Sequence, residues 1–218
     1  YMGSRGASTN VISGIDIALW DIRGKVLGLP ISELFGGPVR EGVPIYCHPR
    51  DRSTVEGTAQ HARAIAETGQ KALKTDPWQP HHEEEANGYL TGKLSAEAEN
   101  HGVELIAAVR EAVGPDVEIL IEMHRRLAPM HARRIGREIE RYRPFWYEEP
   151  ILAENVDALA AVKRDINLPV VTGEELYTKF EFREVFEKQA ADIINPDVCN
   201  VGGILELKEI AAMAEPYF

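Results

Sequence analysis

The chain has 218 residues, long enough to bury a full core, and its 44% hydrophobic and 27% charged content is that of an ordinary globular protein. A formal net charge of −11 argues against nucleic acid or an anionic membrane surface as partner. No apolar run approaches the ~18 residues a membrane span needs, and no basic leader followed by an apolar stretch opens the chain, so no secretory signal is expected.

The opening Tyr1-Met2-Gly3-Ser4 starts mid-pattern, which suggests a partial chain. Ile12, Ile15, Ile17, Ala18, Leu19 and Ile22 recur at helical spacing through Val11–Val26, and Gly24, Gly28 and Pro30 then punctuate. A short second helix is expected over Ile31–Phe35, stopped by Gly36-Gly37-Pro38. From Val43 the pattern becomes short apolar runs alternating with longer helical stretches. The runs are Val43–His48, Lys71–Thr75, Val117–Met123, Phe145–Glu149, Leu168–Thr172 and Asp192–Pro196. Helices are expected between them, and a last one over Ile204–Ala214. Strand and helix alternating at this rhythm predict a parallel sheet with helices packed outside it. One long connection, Asp76–Leu94, is rich in Pro, His, Glu and Gly, as functional loops often are. Cys47 and Cys199 are the two cysteines, far apart and outside any C-x-x-C pair, so both are expected as reduced, buried thiols in a cytoplasmic protein.

The acidic residues carry the functional signal. Four successive runs end in carboxylates, Glu122, Glu148, Glu174 and Asp197, at spacings of 26, 26 and 23 residues, one βα repeat each. In a (β/α) barrel the C-terminal strand ends form the mouth of the active site, so acids at equivalent strand ends converge. A single such acid could cap the helix that follows. Several in phase repel one another unless something positive lies between them, and a hard divalent cation with oxygen ligands suits that place.

These residues resemble a known family. Gly14-Ile15-Asp16-Ile17-Ala18-Leu19-Trp20-Asp21 with Gly36-Gly37, then Glu148-Glu149-Pro150, Gly173-Glu174, Pro196-Asp197 and Gly202-Gly203, follow in the order and spacing of the mandelate racemase branch of the enolase superfamily. The chain is most similar to its galactonate-dehydratase-type sugar-acid dehydratases. The resemblance implies that residues 1–42 are the helical end of a capping domain and 43–218 the first six strands of an eight-stranded (β/α) barrel. It implies Mg2+ held by Glu122, Glu148 and Glu174, with Glu122 standing where the family usually has an aspartate. It makes His124 the acid catalyst and Asp197 the aspartate that orients a histidine on the next strand. That strand, and so the catalytic base, is expected beyond residue 218.

Lys74 lies where the branch places a Lys-x-Lys pair, but here the motif reads Lys74-Thr75-Asp76, which counts against a two-base racemase and leaves Lys74 as a contact for substrate carboxylate or hydroxyl. Arg125 and Arg126 follow His124 where glycine is expected, as anion contacts or solvated side chains. His48, His81 and His82 read as surface or loop histidines, and His61, His101 and His131 carry no role. The implied reaction is dehydration of a sugar acid to a 2-keto-3-deoxy acid, in a cytoplasmic homo-oligomer with no nucleic-acid or membrane partner. Rivals are a racemase or cycloisomerase at the same site, an inactive metal-binding fragment, and a different barrel enzyme.

Overall fold

The computed structural model describes residues 5–50, 54–78 and 92–217. Tyr1 to Ser4, His81, His82 and most of the Asp76–Leu94 connection lie outside the described residues. Five strands, β1 (Ala72–Thr75), β2 (Glu118–Glu122), β3 (Trp146–Glu148), β4 (Val170–Thr172) and β5 (Ile193–Ile194), form one sheet in the order β1-β2-β3-β4-β5. β1 pairs with β2, β2 with β3 and β3 with β4, all parallel. The helices in chain order are α1 (Ala7–Leu27), α2 (Ile31–Leu34), α3 (Val55–Glu67), α4 (Ala96–Val113), α5 (Pro129–Ile139), α6 (Val156–Asp165), α7 (Thr178–Glu187), α8 (Val198–Val201) and α9 (Ile204–Ala214). Sequence order equal to strand order, with helices between, is the βαβ repeat that the apolar rhythm predicts.

The chain divides into two compact units. The strand-rich unit comprises Ile45–Val171 and Ala190–Ile193. Its helices start where local chemistry favours a start: Thr54, Ser95 and Asn155 accept the amides of Gly57, Ala98 and Ala158 at 3.0, 3.1 and 3.2 Å. Strand alternation then sorts side chains between two faces. Leu73, Ile119, Ile121 and Tyr147 go to one, fully buried in a core that also holds Leu105, Ile106 and Val109 of α4 and Ile135 and Ile139 of α5. Trp78 lies against α4 at Gly102, where an added Cβ would meet the indole at 2.1 Å, so only glycine admits that approach. Lys74, Leu120, Glu122, Trp146 and Glu148 alternate onto the opposite face.

The helical unit comprises Tyr1–Pro44, Thr172–Gln189 and Ile194–Phe218. Polar ties from α1 organise it. Ser13 Oγ accepts the amide of Gly202 at 3.0 Å, and Asp16 Oδ2 accepts that of Ile204 at 2.7 Å, capping α9 from a remote helix. Asn10 Nδ2 donates to Asn200 Oδ1, and Asn200 Nδ2 donates to the Glu174 carbonyl, both at 2.8 Å. Among the described residues no helix is long and apolar enough to cross a membrane.

Two expectations need correction. The Val43–His48 run makes no strand; it reduces to one parallel bridge between Cys47 and Leu73. Val43 and Ile45 stand 75% and 63% exposed, so this run gains little of the burial that stabilises a strand. The thiols are free but not buried: Cys47 is half-buried, and Cys199 is exposed on α8.

Candidate active site

β2 and β3 end level with each other, because Glu122 and Glu148 are register partners across the parallel pair. Each offers a carboxylate oxygen within 4.8 Å of the other, and both residues are only 2% exposed. Two buried carboxylates this close repel strongly, and the sheet supplies the compensation. Lys74 of β1 is in register with Leu120, one step back on the same face, and its long stem carries Nζ up between the acids. It donates to Glu122 Oε2, Glu148 Oε1 and Glu148 Oε2, each at 2.9 Å. The Tyr46 ring lies 5.5 Å from the ammonium and packs edge-on against Trp146.

Burial, and then the neighbouring Glu122 charge, push the Glu148 carboxyl up to about 7 against the pull of Lys74. Burial also opposes the Lys74 charge, but Glu122 and Glu148 outweigh it and hold that pKa above the ordinary lysine value. The second oxygen of Glu122, Oε1, accepts the amides of Met123 and His124 at 3.1 and 2.8 Å, so the carboxylate is oriented by the chain that follows it.

That chain is a turn, not strand. A strand running on past Glu122 would put His124 on the same face, two residues along, but β2 stops at Glu122, and His124 and Arg125 take φ of +47° and +62°. The left-handed region favours glycine, and neither position is one. Here the strained turn is held by the Arg125 amide, which donates to the Glu149 carbonyl at 2.7 Å. The His124 ring reaches across to Asp76, the residue after β1, with Nδ1 and Oδ2 2.8 Å apart. Arg126 Nη1 donates to the same Oδ2 at 2.6 Å. Arg126 is 7% exposed, which corrects its reading as a solvated side chain. Burial works against the Asp76 charge, but the His124 hydrogen bond and the Arg126 guanidinium hold its carboxyl below the usual carboxylate range. Asp76 and Arg126 were not singled out by sequence as a pair; the available signal was an acid directly after an apolar strand and an arginine two residues past His124.

The other two strand-end acids lie in the helical unit. Glu174 is half-buried, two residues past β4. Gly173 before it has φ of +142°, and a Cβ there would come within 3.2 Å of the Asn195 backbone. Asp197 is exposed and caps α8, accepting the Cys199 amide at 2.6 Å. His48 is exposed and sits edge-on to Tyr46. His61 and His101 lie on α3 and α4, and His131, on α5, is buried beside Arg134.

The donors at the β2 and β3 ends are all carboxylate oxygens. This set fits a hard divalent cation and not a soft metal. Residues 57–217 match the family described as enolase C-terminal domain-like, and residues 4–36 match the mandelate racemase / muconate lactonizing enzyme N-terminal domain. The chain belongs to the mandelate racemase / muconate lactonizing branch of the enolase superfamily. This enolase-superfamily chain is 36% identical over 218 residues to a D-xylonate dehydratase of Haloferax volcanii, covering 98% of this chain and 52% of that protein. It is 39% identical over 218 residues to a D-galactonate dehydratase of Ralstonia nicotianae, covering 95% of this chain and 52% of the relative. A solved structure of an enolase-superfamily member from Salmonella Typhimurium superposes with a TM-score of 0.91 at 36% identity, over 98% of this chain and 58% of the other. The chain spans about half the length of the curated relatives it matches.

Proposed function

We propose that the protein is a divalent-metal-dependent sugar-acid dehydratase. It removes the proton α to the carboxylate of an aldonate and expels the β-hydroxyl as water; the resulting enol becomes a 2-keto-3-deoxy acid. One observation carries the reading: a buried, lysine-bridged pair of glutamates stands beside a carboxylate-held histidine at the C-terminal ends of neighbouring parallel strands, the end where barrel enzymes keep their chemistry. The dehydratase relatives support the choice among enolase-type reactions.

In this reading Glu122, Glu148 and Glu174 would hold Mg2+. Glu174 follows β4, the strand paired with β3, and so continues the series of strand-end acids. Bound there, the ion supplies Lewis-acid stabilisation of the charge that develops on the substrate carboxylate. Lys74 contacts that carboxylate or a neighbouring hydroxyl. His124 gives a proton to the departing β-hydroxyl, which would otherwise leave as hydroxide. Asp197 orients a histidine base carried on a following strand. The same reading takes residues 1–42 as the end of a capping domain and 43–218 as part of the barrel, with β1 to β5 as five of its strands, in a cytoplasmic homo-oligomer.

A panel of hexonates and pentonates, incubated with the protein and Mg2+, should give a 2-keto-3-deoxy product from at least one member. Exchange of the α-proton in deuterated buffer with inversion but no elimination would replace the dehydratase with a racemase. Metal binding with neither exchange nor product would leave only a metal-binding protein.

A further inference from the structure

We infer that Asp76 is the positioning residue of His124: it holds the Nδ1–H of the imidazole and so presents Nε2 as the only ring nitrogen that can exchange a proton with a substrate. The inference rests on the dehydratase reading for what His124 does, but the Asp76–His124 arrangement stands on geometry alone.

Four observations carry it. Asp76 has 1% side-chain exposure and His124 36%, so only the histidine can meet a ligand, and Asp76 acts through it. Both Asp76 oxygens are committed as acceptors: Oδ1 takes the Trp78 amide at 3.1 Å, while Oδ2 takes Arg126 and faces His124 Nδ1. Arg126 can only donate, and it keeps Asp76 a charged acceptor, so the shared hydrogen must sit on the histidine. The left-handed turn at His124 and Arg125 turns the ring off the strand face and onto Asp76, a strained conformation retained at the strand end that carries Glu122.

The consequence is a supporting role for the end of β1. Asp76, directly after β1, supplies no base and instead backs the histidine that follows the next strand. Proton balance follows. The charged ring carries Nδ1–H toward Asp76 and Nε2–H toward the leaving hydroxyl; after transfer Nε2 is bare, Nδ1–H remains, and the carboxylate never gains a proton. The logic is that of other base–carboxylate pairs.

The test is the tautomer of His124, read by two-bond nitrogen–proton correlation of the imidazole in the metal-free full chain at alkaline pH, with His124→Gln to assign the signal. Wild type should show a protonated Nδ1 and a bare Nε2. Asp76→Ala removes a charge partner of the buried Arg126 guanidinium and can fail to fold, so the deciding variant is Asp76→Ala combined with Arg126→Met, with its melting curve confirming the fold. That variant should lose the single tautomer, and kcat for the accepted aldonate should fall about a hundredfold with KM nearly unchanged. A bare Nδ1 in wild type, or an unchanged tautomer in the folded double variant, overturns the inference. If no aldonate is turned over, the dehydratase reading fails while the tautomer still decides this one.

Discussion

The ends of β2 and β3 and the end of β5 look alike as text: an apolar run, then an acid, in step with the βα repeat. In the folded chain they differ in kind. Glu122 and Glu148 are 2% exposed, face each other in register, and share one ammonium. Asp197 is exposed and satisfied by the backbone of the short helix it begins. The comparison teaches that a strand-end acid acquires unusual chemistry from burial and from its cross-strand neighbours, since those remove water and set the local charge. Without them it is a helix cap.

The sharpest way to break that contrast is to remove the shared cation. Lys74→Met leaves two buried carboxylates facing each other and should cost about 3–5 kcal/mol in the metal-free protein at pH 8, measured by urea unfolding. A loss below about 1 kcal/mol would mean that the pair is not electrostatically distinct from Asp197.

A smaller effect should appear on titration. The folded pKa of Glu148 is pushed above its ordinary 4.5 to about 7, so between those values the folded protein keeps a proton that the unfolded chain has lost. Its contribution to stability is therefore fully present below about pH 4.5 and is lost as pH rises through about 7. Asp76 has the opposite sign: its folded pKa lies below the ordinary 3.8, and its contribution is lost as pH falls through the folded value. Urea midpoints of metal-free protein at pH 5 and pH 8 should show the Glu148 decline, and Glu148→Gln should abolish it while sparing the acid limb. The smallest change belongs to the exposed acid. Asp197→Ala should cost only about 1 kcal/mol, the ordinary loss of a helix cap, with no new pH dependence between 4.5 and 7.

Much of the fold was legible because it is written in local periodicity. Val11–Val26 falls within α1, and five of the six apolar runs each contain a strand. The Val43–His48 run misled because alternation says only that a segment could be half-buried; Cys47 finds one bridging partner in Leu73, and Val43 and Ile45 remain exposed. At the candidate site, spacing alone pointed to Glu122 and Glu148. It could not show that Lys74 bridges them, that the β2 strand ends before His124, or that Asp76 and Arg126 meet, because those contacts join residues 48 to 74 positions apart.

By itself the sequence determined five of the strands and the long helices, which acids end the strands, and which family the chain resembles, since each follows from residue type and short-range spacing. Only the tertiary structure decided which acids lose their water, which cation neutralises them, and which carboxylate holds His124. Those outcomes depend on register between strands and on burial, and neither is a property of any one segment.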